Sequence, residues 1–211
     1  MFLPSLPGSL TARPLVGLDL ALPTAHLLTG RPRSRSWCVE VCSSRDLPSA
    51  CLQDGRIVQF EALAELVRAW LTEAGLGPSP RVAMALSGPL LRRQRLPAPA
   101  DWRPWRWRPW LQAQAERLAQ APLHEVAWSV QVLPGRPVQL WLCACPLAWV
   151  EDWQGLAEAA GLSLVRLDDR ERVLHQAEGM GADWFSGLRW AEGVAPLQTE
   201  DFAVALGLAR A

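Results

Sequence analysis

The side chains of this chain that could carry chemistry are three histidines, five cysteines and a few clustered carboxylates. Asp168 and Asp169 stand in series with Glu171 close behind, a grouping that could begin a shell for a hard cation. No histidine or further carboxylate is spaced to complete it, and the same residues suit a solvated turn ahead of a helix. Cys38, Cys42, Cys51, Cys143 and Cys145 lack the paired C-x-x-C spacing of zinc sites, so they read as reduced, small core residues. His26, His124 and His175 have no recognisable Ser, Cys or Asp motif beside them. Ser87-Gly88 lacks the Gly-x-Ser-x-Gly frame of a hydrolase elbow.

A different chemistry is concentrated in DWRPWRWRPW, residues 101–110, where four tryptophans alternate with three arginines. Between Arg92 and Trp110 six arginines face Asp101 alone. Arginine stacks on indole rings, and both residue types are enriched at interface anchors. One reading packs Trp107 and Trp110 down onto a sheet and leaves Arg103, Arg106 and Arg108 solvated. A second places the segment at a partner groove, a third against the anionic cytosolic leaflet, and a fourth on single-stranded nucleic acid.

Charge bears on that choice. Twenty-one basic residues balance twenty-one acidic ones over 211 residues, so no whole-protein field draws the chain to nucleic acid. Half of the residues are hydrophobic, which is enough for a packed core. The nearly uncharged run PVQLWLCACPLAWV falls short of the ~18–20 apolar residues of a membrane helix and contains a proline. MFLPSLPGSLTARP lacks the basic start and unbroken apolar stretch of a secretion signal, so the expected location is cytoplasmic.

The elements that must position these residues follow from periodicity. LVGLDLA and AHLLTG read as a strand pair, RPRSRS as a solvated turn, and WCVEVC as a strand with Trp37, Val39 and Val41 on one face. Asp54-Gly55 marks a tight turn, and EALAELVRAWLTEAG is an amphipathic helix ending at Gly75. RVAMAL is a buried strand. LLRRQRLP can be a strand, and Pro109 suits the first turn of a helix that stops at Pro122. EVAWSVQVL alternates, with Val126, Trp128, Val130 and Val132 on one face, and turns through Pro134-Gly135-Arg136-Pro137 into VQLWLCAC. LAWVEDWQGLAEAAG is a helix and SLVRL a strand, which makes the stretch a β-α-β-β-α-β unit. A short helix through Val173 and Ala177 leads to a glycine-broken connector, and Thr199 can cap a last helix through Phe202 to Ala209.

Seven stretches in this order resemble the PilM family, the actin-like cytosolic proteins of type IV pilus and competence machinery, related in fold to FtsA. They are GLDLALPTAHLL, the stretch from Leu47-Pro48 to Asp54-Gly55, RVAMALSGPLLRRQRLP, APLHEVAWSVQVL, VQLWLCAC, the run from AEAAGLSLVRLDD to HQAE, and FAVALGLAR. The resemblance implies an α/β fold: an actin-like (ribonuclease H-like) first core subdomain with an inserted small β-α-β-β-α-β subdomain. The implied divisions are a flexible tail at 1–14, core at 15–89, the inserted subdomain at 90–168, and closing core helices at 169–211.

The departures from the family pattern matter as much. The family's first hairpin carries an Asp-x-Gly turn that brings backbone amides to nucleotide phosphates. Here Asp19 is kept, Ala21 replaces the glycine, Pro23 removes an amide donor, and His26 stands where lysine is common. The chain also passes from Ala177 to Phe202 through residues 178–201, where the family has a second core domain. The resemblance therefore implies a degenerate nucleotide site at Asp19 and His26, no ATPase activity, no cofactor and no metal. It implies a non-catalytic scaffold, peripheral at the inner membrane, that docks the cytosolic N-terminal peptide of a PilN-like inner-membrane protein. Arg93, Arg95, Trp102, Trp105, Trp107 and Trp110 are the candidate partner-binding residues. The alternative is a peripheral membrane or single-stranded nucleic-acid binder acting through residues 101–110.

Overall fold

A computed structural model of the chain describes residues 14–33, 36–99, 107–133, 137–180, 188–194 and 202–210. It divides into a larger unit, residues 3–87 with 154–211, and a smaller one, essentially residues 88–153.

The larger unit is built on a sheet of six strands. They are β1 (Leu15–Asp19), β2 (Thr24–Arg33), β3 (Ser36–Asp46), β6 (Arg81–Leu86), β10 (Ser163–Asp169) and β11 (Leu188–Trp190), in the order β10-β6-β1-β2-β3-β11. β1, β2 and β3 form an antiparallel meander, while β6 and β10 run parallel to β1. The Leu22-Pro23-Thr24 turn, which contains a cis peptide before Pro23, reverses the chain between β1 and β2. Between β3 and β6 lie a short hairpin, β4 (Leu52–Gln53) with β5 (Arg56–Ile57), and helix α1 (Phe60–Glu73). Asp54 and Gly55 both take positive φ in that hairpin, as the Asp-Gly pair requires.

Helices cover both faces of this sheet. Cys42 packs with one helix and Ser43 bonds another, and neighbouring strand residues point to opposite sides. On Ser43's side α1 buries Leu63, Ala64, Val67, Trp70 and Leu71, and the Trp70 indole N–H donates to Ser43 Oγ at 2.9 Å. On Cys42's side lies helix α5 (Ala203–Arg210), whose Ala205, Leu206 and Ala209 pack with Leu28, Trp37 and Val39. Helix α4 (Arg170–Met180) joins it there through Val173, against Ala83 and Ala85. The α5 backbone passes so close to β1 that a Cβ on Gly17 would lie 1.8 Å from the Ala205 carbonyl oxygen.

The smaller unit is a three-stranded antiparallel sheet in the order β7 (Arg92–Pro97), β9 (Gln139–Pro146), β8 (Val126–Leu133). Helix α2 (Arg108–Ala119) covers one face, with Leu96, Leu140, Leu142, Ala144 and Val126 beneath Leu111 and Ala115. Helix α3 (Leu147–Ala159) follows β9, and the division between the units falls within it.

One sequence expectation needs correction, and two features extend the reading. The strand at 163–169 pairs with β6 in the six-stranded sheet, so residues 154–168, expected in the inserted subdomain, belong to the larger unit. The reason is register: Leu167 and Asp168 pair with Met84 and Ala85 of the buried β6, a partner that short-range periodicity could not identify. The apolar face of β8 is continuous as expected, but its burial fades along the strand, from Val126 at 6% exposure to Val132 at 48%. Beyond the expected connector at 178–187 the chain adds β11, parallel to β3, which the sequence reading did not assign. The expected tail at 1–14 lies, apart from Pro14, outside the described residues, as does the cap at Thr199.

Candidate functional site

In an open sheet with parallel strands, ligands collect beyond the carboxyl ends of those strands. β1 ends at Asp19 and β10 at Asp168 and Asp169, with β6 between them. The sheet therefore brings together carboxylates far apart in sequence. Asp19 is 1% exposed. Both of its oxygens accept from Arg170 Nε, each at 3.1 Å, from the first turn of α4. Burial pushes the Asp19 carboxyl above its ordinary pKa of 3.8, opposed by the Arg170 charge, by the hydrogen bond from Arg170 and by His26.

His26 stands opposite Asp19 in the β1–β2 register, and its ring meets Phe202 edge-on with centroids 4.7 Å apart. The two residues of the candidate nucleotide site are thus adjacent, held on one side by a guanidinium and on the other by a phenyl ring.

Asp168 and Asp169 are buried, which corrects their reading as a solvated turn. Arg172 Nε donates to Asp168 at 2.8 Å, and the guanidiniums of Arg166 and Arg172 also bond its second oxygen. Asp169 Oδ1 accepts the Glu171 backbone N–H at 3.0 Å and so caps the start of α4. The physical cause lies in the arginines at positions 166, 170 and 172. They supply counter-charges to Asp19 and Asp168, while Asp169 is met by a helix N-terminus, so burial does not leave a bare anion.

Several groups around Asp19 are already engaged within the chain. Asp19 already faces a cation. In the turn beyond it, Pro23 has no N–H, its carbonyl accepts from Leu47 N–H at 2.8 Å, and Thr24 Oγ1 donates to Asp46 at 3.0 Å. Ala21, two residues beyond Asp19, carries a Cβ into the same turn. Among the described residues no group of three or more His, Cys, Asp or Glu could hold a metal ion.

The candidate partner-binding residues lie in the smaller unit. Arg93 and Arg95, two apart on β7, share one sheet face. Arg93 Nη1 donates to the Leu91 carbonyl at 3.2 Å. The Arg95 guanidinium lies 5.2 Å from the Trp141 ring, its register partner on β9. Trp141 was missed in the sequence; alternation within VQLWLCAC was the available signal, since it sets Trp141 on the face of Cys143 and Cys145. Trp107 is 4% exposed beneath α2 and meets Trp110 edge-on at 6.4 Å, so its indole is core and cannot anchor a partner at the surface. Trp102 and Trp105, with Arg103 and Arg106, lie outside the described residues. Burial in an apolar setting lifts the Cys145 thiol to about 12, and the Cys42 thiol equally, which keeps both inert at neutral pH.

No protein-family model matches the sequence, and no curated protein matches it. Among solved structures the chain is similar to the PilM–PilN type IV pilus biogenesis complex, with a TM-score of 0.66 and 22% identity over 81% of this chain and 51% of that one. It is also similar to the cytoplasmic domain of EpsL, an inner membrane component of the type II secretion system of Vibrio cholerae. There the TM-score is 0.46 and the identity 15%, over 76% of this chain and 58% of that one. The chain therefore shares the mixed α/β fold of that PilM–PilN structure over most of its own length, and it spans about half the length of the chain it matches. Among the described residues no helix is long and apolar enough to cross a membrane.

Proposed function

We propose that this protein is a non-catalytic scaffold of type IV pilus, competence or related secretion assembly, which docks the cytosolic N-terminal peptide of a PilN-like inner-membrane protein. The observation that carries this reading is the likeness of fold to the PilM–PilN complex over most of the chain. The commitment of Asp19 to Arg170 supports the loss of nucleotide chemistry, because a carboxylate already neutralised within the chain offers little to a bound cation. Arg93, Arg95 and Trp141 supply the guanidinium and indole groups that anchor peptides at interfaces. Docking of a membrane protein's tail would hold the scaffold at the inner membrane.

The test is titration of the full chain with the cytosolic peptide of a PilN-like protein encoded beside it. The expected Kd is about 1–100 μM, with at least about a tenfold loss in the Arg93→Ala, Arg95→Ala double variant. Absence of binding at high micromolar peptide would remove the proposal.

A further inference from the structure

A sheet edge presents backbone donors and acceptors to any strand that can approach, and folded proteins blunt such edges. Among the described residues, three of the four edges of the six-stranded and three-stranded sheets are blunted. β7 carries Arg92, Arg93 and Arg95, together with Pro97, which has no N–H to offer. β10 is broken by a register shift at Val165 and carries Arg166 and two aspartates. β11 is three residues long.

The fourth edge differs. β8 is eight residues long, VAWSVQVL, with no charge, proline, glycine or register shift, and among the described residues it has β9 as its one strand neighbour. On its outer half Val130 is 36% exposed and Val132 48% exposed.

The sequence of this strand indicates what covers it. Read outward from Val130, AWSVQVL is symmetric in residue character. Set antiparallel to a second copy with Val130 opposite Val130, Trp128 faces Val132 and Ser129 faces Gln131. Ala127 faces Leu133. Apolar meets apolar on one face, an aromatic meets a β-branched residue, and the polar pair falls on the other face. The same operation on β7 would set arginines against arginines, with like charges repelling. We infer that β8 is a homodimerisation edge: two copies of this chain pair their β8 strands antiparallel about Val130, joining two three-stranded sheets into one of six strands.

This pairing is isologous, so it closes at two copies. It engages a single strand from each copy and belongs to the small, weak class of interfaces. Sedimentation velocity of the full chain from about 10 to 500 μM tests it, because association in this class has a Kd in the micromolar range. The expected result is a concentration-dependent shift from monomer to dimer. Val130→Arg should weaken it at least about tenfold, by placing two guanidiniums opposite each other. Val130→Thr, which keeps the β-branched shape, should still dimerise. Val58→Arg, at an exposed valine of the larger unit, should leave dimerisation unchanged, and melting curves verify that each variant is folded. A wild-type chain that stays monomeric throughout, or a folded Val130→Arg variant that dimerises as well as wild type, overturns the inference. So does a monomeric chain whose binding of a PilN-like peptide is lost in Val130→Arg, which would give the edge to the peptide.

Discussion

The six-stranded and three-stranded sheets are finished to different degrees. In the larger unit α1 covers one face and α4 with α5 the other, the edges end in a bulge and a short strand, and the buried carboxylates each hold an arginine or a helix N-terminus. In the smaller unit one edge is guarded by arginines while the other leaves two valines in water. The contrast teaches where each unit's chemistry points. The polar end of the larger sheet is satisfied from within, and the smaller sheet presents exposed valines on an uncharged edge strand.

The comparison can be broken at several points, and the largest effect is expected at Gly17. Any side chain there meets the Ala205 carbonyl, which belongs to helix backbone and cannot swing aside. Gly17→Val should cost more than about 4 kcal/mol and prevent folding of a marginally stable chain, read as loss of the soluble, cooperative melting transition. A soluble variant with a wild-type melt would mean that α5 does not seat on β1 in this way.

Trp107→Ala comes next. It empties the space beneath α2, between Leu96, Leu111 and Leu140, and should cost about 3–5 kcal/mol. Hydrogen exchange should quicken across β7, β8 and β9 and stay slow in β1 and β2. A uniform change across both sheets would show that their stabilities are not separable.

Arg170→Ala leaves Asp19 buried beside His26 without its guanidinium. Loss of one partner of a buried pair costs about 3–5 kcal/mol, and the expected figure here is about 2–3, because the Arg170 side chain is itself 31% exposed. The double variant Asp19→Asn, Arg170→Ala should recover part of that loss in denaturant melts. No recovery would mean that Arg170 acts through packing and not through Asp19.

The smallest effect concerns pH. Burial raises the Asp19 pKa in the folded state above 3.8, so the folded chain binds this proton more tightly than the unfolded chain does. Its contribution to stability is fully present below 3.8 and declines as pH rises through the folded value. Relative to Asp19→Asn, wild type should therefore lose stability as pH is raised from about 3.8. The opposite slope would mean that Arg170 outweighs burial.

Much of the fold was legible in the sequence because it was written locally. Leu63, Val67, Trp70 and Leu71 fall at helical spacing, and Asp54-Gly55 suits two positive φ values. The closing helix was legible because Phe202, Ala205, Leu206 and Ala209 share one stripe. What stayed hidden was pairing between distant strands. SLVRL reads as a strand in any sheet, and only its register with Ala83 and Met84 assigns it to the larger one. The candidate nucleotide residues Asp19 and His26 were placed by resemblance, but Arg170, which closes that corner, comes from a segment far along the chain. The tryptophan segment left two readings open, packing or partner contact, and the position of Trp107 at the start of α2 decides for packing at that residue. Trp141 was overlooked because it stands alone in an apolar strand.

The most direct test of the central claim is the affinity of the full chain for a PilN-like cytosolic peptide, measured with and without millimolar ATP and magnesium. The account expects a micromolar Kd that nucleotide leaves unchanged within about twofold, since Asp19 is held by Arg170. Absent binding, or an affinity shifted tenfold or more by ATP and magnesium, would contradict it.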